Sequence, residues 1–472
     1  MHISHKTVMW ILILVQAIFG LLVINGFPIS LDEPYSIYHA QSEIPELLAE
    51  VNSGNNAPLH FLLLHFWVKL FGISAFAVRS LSLIIALFST AILFQLARKF
   101  FSIKYSILLV GLFIFSRLNH FVALEARMYG LFTLFFMLIL WSLWGFFIEN
   151  KKNWFWLAIW NVGLMYTHYL GGVVIFMEVL LLIFFWSKMN PAKWKMLLGT
   201  FGLSLSLFAP GIYLLIEKTL SYGSEGSWVP AVQWSDLWTN LVKLFNNQLT
   251  LIVTLVAVSG AIYLFKTSQE KVKKERLFFL VFWSIGGYFL LFLISLFFSS
   301  VFFIKYLQFL TIPFFLLLVY VLTVGFENRS GRLNFLPFLL LFFFAGSVKF
   351  IPDVNRETDK LIEYVEKMKT VETIIYYSPP HYDLTLAYYI DPVLFKQSMS
   401  IRADLSTEDY HAIYHADEIL IDKKSLIYID FDADMLYPEN EILHRLDSEM
   451  IFESVASFKG DFNVFLYRKR DV

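Results

Sequence analysis

The chain lacks cysteine altogether, and only 16% of its 472 residues carry charge. With no cysteine there is no disulfide scaffold, no thiolate metal site and no cysteine nucleophile. That absence also suits an oxidising, extracytoplasmic setting. What is abundant instead is apolar: 58% of residues are hydrophobic, 18% aromatic, and mean hydropathy is +0.63. A water-soluble globule of this length needs far more polar surface, so that class is excluded.

The net charge of −1 hides a division. Residues 1–351 hold 24 Lys/Arg and 14 Asp/Glu, whereas residues 352–472 hold 13 Lys/Arg and 24 Asp/Glu. The first part reads as membrane-embedded, the second as a small acidic domain facing water. Eleven stretches approach the roughly 20 apolar residues that a spanning helix needs: about 8–28, 74–97, 104–117, 130–149, 153–170, 171–187, 196–216, 241–265, 277–298, 303–325 and 333–351. The first has no convincing cleavage site near Asn25–Pro28 and reads as an uncleaved span.

Basic clusters set the orientation. Lys6, Arg98/Lys99/Lys104, Lys151/Lys152, Lys188/Lys193/Lys195, Lys266/Lys271/Lys273/Lys274/Arg276 and Arg329/Arg332 all fall on one side of eleven spans, which is then the cytoplasm. The shorter run Ala57–Gly72, with His60, His65 and Lys69, breaks this parity if it crosses, so it is expected to lie along the outer interface as an amphipathic helix, with a tilted or re-entrant segment as the alternative. Ile44–Val51 is a second amphipathic stretch, and Tyr222, Trp228, Trp234 and Trp238 mark an aromatic outer loop. The chain then emerges outside at Pro352. In the tail, helices are expected over 355–369 and 439–446, and strands over 372–377, 425–430, 451–458 and 463–468. This is a small α/β domain without a nucleotide-binding glycine fingerprint or P-loop.

Acids in the membrane part concentrate in the first two outer loops: Asp32, Glu33, Glu43, Glu46, Glu50 and Glu125. Ionisable groups at a membrane are costly, so the outer face is the expected reaction site. Asp32-Glu33 follows the first span; one carboxylate suits a base on an acceptor hydroxyl, the other a loop anchor or a substrate or metal contact. A solvated pair or helix cap is the plainer alternative. Glu125 and Arg127, with Arg117 nearby, form a second group; a guanidinium fork suits a phosphate, and interfacial snorkelling is the alternative. Lys305-Tyr306 and Arg79 admit the same two readings. His60 heads the interfacial helix, and His168 ends the fifth span in Tyr166-Thr167-His168-Tyr169. His39, His60, His65, His120 and His168 show no recognised metal spacing, and Glu178, deep in a span, must be paired or neutral.

Taken in order, the Asp32-Glu33 pair, the run Asn55-Asn56-Ala57-Pro58-Leu59-His60 continuing to Gly72, Glu125-Ala126-Arg127-Met128-Tyr129-Gly130 and Tyr166-Thr167-His168-Tyr169 resemble bacterial GT-C membrane glycosyltransferases, relatives of protein O-mannosyltransferases and of lipid A aminoarabinose or galacturonic acid transferases. The resemblance covers about residues 8–350. It implies inverting transfer from a polyprenyl-phosphate sugar to an envelope glycan, lipid or protein at the outer face of a bacterial inner membrane. It places Asp32 as the catalytic acid of the first-loop motif, and Arg127 and Lys305-Tyr306 at the lipid phosphate. Two departures stand out: Ala57 where relatives often carry a second proline, and Lys305 where many have arginine, which loses the bidentate fork. The superfamily includes metal-dependent and metal-independent members, so a divalent metal stays open, and no nucleic-acid partner is expected. A lipid transporter or flippase, or a polysaccharide polymerase or ligase, shares the multi-span plan.

Overall fold

In the computed structural model, each of the eleven apolar segments is mainly helical over its described residues. The structure describes residues 4–30, 32–54, 56–149, 151–221, 229–265, 273–326, 335–348, 355–391, 395, 400–435 and 439–470. Lys266, Lys271, Arg329 and Arg332 of the basic clusters, Tyr222 and Trp228 of the aromatic loop, and the expected boundary at 351–352 lie outside the described residues.

Fewer of those helices are full-length spans than the sequence windows suggest. Ala75–Phe100, Tyr129–Phe147, Pro191–Leu214, Lys274–Phe297 and Ile304–Phe326 are long and apolar enough to cross a membrane. Two further segments pass only as bent pairs: Ile103–Ile114 with Arg117–Leu124, at 60°, and Trp234–Leu244 with Gln248–Leu264, at 83°. Among the described residues that gives five helices, or up to seven with each bent pair taken as one, that are long and apolar enough to cross a membrane. His5–Leu21, Gly171–Phe185 and Leu336–Val348 are apolar but shorter. A composition window runs straight through a helix break; the backbone does not. The chain is a multi-pass membrane protein.

Both breaks are held by one side chain. Asn246, at φ 71° between Trp234–Leu244 and Gln248–Phe265, donates from Nδ2 to the carbonyls of Phe115 (2.8 Å) and Phe343 (2.9 Å). Its Oδ1 accepts from the backbone N–H of Arg117 at 2.7 Å, the first residue after the other break. A broken helix exposes unpaired carbonyl and amide groups that lipid cannot solvate; this amide satisfies two of them, at Phe115 and Arg117, and ties them to the helix Phe335–Val348 through Phe343. At Gly325 a Cβ would stand 2.6 Å from the Ala261 backbone, so only glycine admits that backbone approach.

By contact density the chain forms two compact units. The first comprises Met1–Leu22, Ile44–Leu63 and Arg79–Phe350; the second comprises Val23–Glu43, Leu64–Val78 and Ile351–Val472. The second is built on a five-stranded sheet: β1 (Thr373–Ser378), β2 (Tyr410–Ala412), β3 (Ser425–Phe431), β4 (Met450–Phe458) and β5 (Phe462–Lys469), in the order β2-β1-β3-β5-β4. β1 runs parallel to β2 and β3, while β5 is antiparallel to β3 and β4. Ile374, Tyr376, Leu426 and Tyr428 pack against Ile442 and Leu446 of the helix Glu441–Glu449. Thr358–Met368 supplies the helix expected at 355–369.

Two segments from the stretch between the first apolar helix and Ala75–Phe100 pack inside this second unit. The helix Asp32–Gln41 lies against the helix Asp383–Ile390. The Tyr389 hydroxyl donates to the Ile29 carbonyl at 2.9 Å, and the Tyr388 hydroxyl to that of Ile73 at 3.1 Å. His65 Nδ1 lies 3.0 Å from the Ala40 carbonyl. The stretch expected at the interface is one helix, Pro58–Phe71, and Ile44–Ser53 forms the other.

Candidate active site

The first unit gathers a cluster of charge around Arg127. Residues 125–128 link the short helix Arg117–Leu124 to Tyr129–Phe147, and the turn is closed by the Arg127 N–H donating to the Glu125 carbonyl at 2.8 Å. The Ser82 hydroxyl donates to that same carbonyl at 2.6 Å, fixing the turn to the helix Ala75–Phe100. Glu125 thereby turns its carboxylate inward, where only 3% of the residue is exposed. Lys305 Nζ meets Glu125 Oε1 at 3.0 Å and lies over the rings of Phe121 and Tyr129. Lys305 is therefore a part-buried, paired cation, not the snorkelling side chain that a span end suggests.

Arg127, 8% exposed, donates from Nη2 to Asn56 Oδ1 at 3.4 Å. Fully buried His60 reaches the Ala126 backbone and stands within the field of Arg127. His168 accepts the Leu170 N–H at Nδ1 (3.1 Å), which leaves the other ring nitrogen as its donor. Its ring centroid lies 5.2 Å from that of Tyr306 and 6.1 Å from that of Tyr129. Gln308 ties this wall down by donating to the Tyr129 carbonyl at 2.7 Å and to the Thr133 hydroxyl. Thus His60, Glu125, Arg127, His168, Lys305 and Tyr306 form one cluster. Arg117 heads its helix, about 12 Å of helix rise away from Glu125.

Asp32 and Glu33 open the helix Asp32–Gln41 in the second unit, where carboxylates suit the positive helix end. Glu33 is 3% exposed. Asp32 acts electrostatically on His381 and Tyr382, which no pattern in the sequence singles out. Desolvation pushes the His381 imidazole down, with the Asp383 and Asp32 carboxylates opposing. His39 sits against the Tyr35 and Tyr38 rings, and burial pushes it down to about 4.

Other singled-out residues lie apart from this cluster in the contacts they make. Arg79 is fully buried, which excludes snorkelling. Fully buried Glu178 accepts from Asn161 Nδ2 at 2.9 Å. His120 stacks on Phe19, 4.3 Å between centroids. Among the described residues no group of three or more His, Asp or Glu side chains is placed to hold a metal.

Residues 55–214 match the family model described as dolichyl-phosphate-mannose-protein mannosyltransferase. That stretch carries His60, Glu125, Arg127 and His168. No curated protein matches the chain. Among solved structures, the oligosaccharyltransferase of Archaeoglobus fulgidus in the apo form aligns at 10% identity and a TM-score of 0.51, covering 99% of this chain and 74% of that one. ArnT from Cupriavidus metallidurans aligns in the apo state at 12% identity and TM-score 0.48, and bound to undecaprenyl phosphate at 11% and 0.47, each over 97% of both chains. The resemblance read from the sequence is thus upheld over residues 55–214, and the chain has the GT-C type of fold seen in the archaeal oligosaccharyltransferase.

Proposed function

We propose that the chain is an inverting glycosyltransferase that moves a sugar from a polyprenyl-phosphate donor to an envelope acceptor on the outer face of a bacterial inner membrane. Residues 1–351 supply the membrane catalytic part and residues 352–472 an extracytoplasmic domain. The observation that carries this reading is the pair of cations Arg127, buried, and Lys305, part-buried, on either side of Glu125, with Arg127 inside the stretch matched to the dolichyl-phosphate-mannose-protein mannosyltransferase family.

The chemistry asks little more. Asp32 takes the proton of an acceptor hydroxyl, and the oxygen attacks the anomeric carbon. The bond from that carbon to the phosphate oxygen breaks, and the lipid phosphate leaves as an anion. Arg127, whose charge does not titrate, receives two phosphate oxygens on its planar fork. Lys305 adds a point charge shared with Glu125, which holds the ammonium in place. Charge developing on a leaving group in a dry site is where fixed cations act most strongly. Attack opposite the leaving phosphate inverts the anomeric centre. The test is the product: purified protein given a β-linked polyprenyl-phosphate sugar yields an α-linked glycoside by NMR. A retained configuration contradicts the single displacement.

A further inference from the structure

The second unit contains a cavity of about 400 Å³ walled by the start of the first loop, Asn25 to Ile29, by Ala75 at that loop's end, and by two C-terminal helices. We propose that it binds a neutral sugar residue of the acceptor; this deepens the transferase reading above and rests on it. Four observations carry it. The size falls in the range of small-ligand sites, about 300–1,000 Å³, and admits a pyranose ring.

The lining joins aromatic faces with amide and carboxylate groups. Phe27, Tyr388 and Tyr389 offer ring surface to the C–H face of a sugar, while Asn25, Asn355 and Asp359 offer donors and acceptors to its hydroxyls. Charge in the lining does not favour an anion. Lys360 is bound to Glu357 at 2.8 Å, and Asp359 repels a phosphate. The walls are also tied together, because the hydroxyls of Tyr389 and Tyr388 hold the carbonyls of Ile29 and Ile73. Finally, Ile29 lines the cavity three residues before Asp32, which bounds the separation of their Cα atoms at about 10 Å. A sugar in the cavity is thus on the same loop as the proposed base. Nothing in the reaction of the donor phosphate requires this site; an acceptor glycan does.

Saturation-transfer NMR on the full-length protein in detergent tests it, with the methyl glycosides of glucose, galactose and mannose as probes and glycerol 1-phosphate as the charged control. The expected result is transfer to at least one neutral glycoside, no competition by glycerol 1-phosphate, and loss of about tenfold in signal in Asn25→Trp, which fills the cavity. Asp359→Ala, a smaller change at an exposed position, is expected to weaken the same signal. No glycoside signal with the wild-type protein, or an unchanged signal in an Asn25→Trp protein that melts like wild type, overturns the proposal. A parallel assay of sugar transfer from a polyprenyl-phosphate donor separates the two claims. Transfer without glycoside binding sinks the cavity alone; glycoside binding with no transfer from that donor sinks the transferase reading.

Discussion

Glu125 and Lys305 stand 180 positions apart in the chain and 3.0 Å apart in space. Each was visible in the sequence as a charge at the mouth of a span, but their pairing was not, because nothing local encodes a contact of that range. Arg127 was more legible, since an acid and an arginine two positions apart in an apolar chain already mark a polar site. The pair's burial sets its energetics. Removing one partner strands a charge, which costs about 3–5 kcal/mol, whereas removing both together costs less. Glu125→Gln and Lys305→Met are therefore each expected to lower thermal stability more than the Glu125→Gln/Lys305→Met double variant does, while every variant lacking Lys305 loses transfer. Additive losses in a thermal-melting cycle contradict the pairing. His381, set beside Asp32 by tertiary contact alone, had no signal in its own neighbourhood of sequence.

The elements were read well where one period dominates. The strands β1, β3, β4 and β5 and the helices Thr358–Met368 and Glu441–Glu449 lie within a few residues of their expected places. β2 is three residues long, too short for a pattern, and Asp383–Ile390 is apolar on more than one side, so both escaped notice. The bends were not legible, because no local pattern marks where Asn246 takes over from the helix's own hydrogen bonds. Asn246→Ala frees the Phe115 carbonyl and the Arg117 N–H at the break, at a cost of about 1–3 kcal/mol for each group left unsatisfied. It is expected to melt well below wild type in detergent, with Asn246→Leu no better although it restores volume. A wild-type melting point in both rejects the bracket.

The helix Asp32–Gln41 carries a pH dependence through His39. Burial holds its pKa near 4 in the folded protein, below the ordinary 6.5, so the folded state favours the neutral ring. That stability is present above pH 6.5 and is lost as pH falls from 6.5 towards 4, up to about 3 kcal/mol. Melting temperatures at pH 7.5 and 4.5 are expected to differ more in wild type than in His39→Phe. An equal drop in both assigns the acid sensitivity elsewhere.

At the scale of the whole molecule, the division of charge at residue 351 separated a basic apolar part from an acidic polar one, and the five-stranded sheet lies in the acidic part. The sequence did not show that Val23–Glu43 and Leu64–Val78 pack with residues 351–472. Such a grouping depends on contacts like Tyr389 to Ile29, 360 positions apart. It gives the C-terminal part a physical task, that of holding the loop which bears Asp32. The central claim is a sugar transfer that depends on Asp32 and Arg127, and one assay reaches it: labelled sugar passed from a polyprenyl-phosphate donor by the purified full-length protein. Wild type is expected to transfer, with Asp32→Asn and Arg127→Ala each reduced about 100-fold or more at unchanged folding. Wild-type rates in both variants, or use only of a diphosphate-linked oligosaccharide donor, contradict the account.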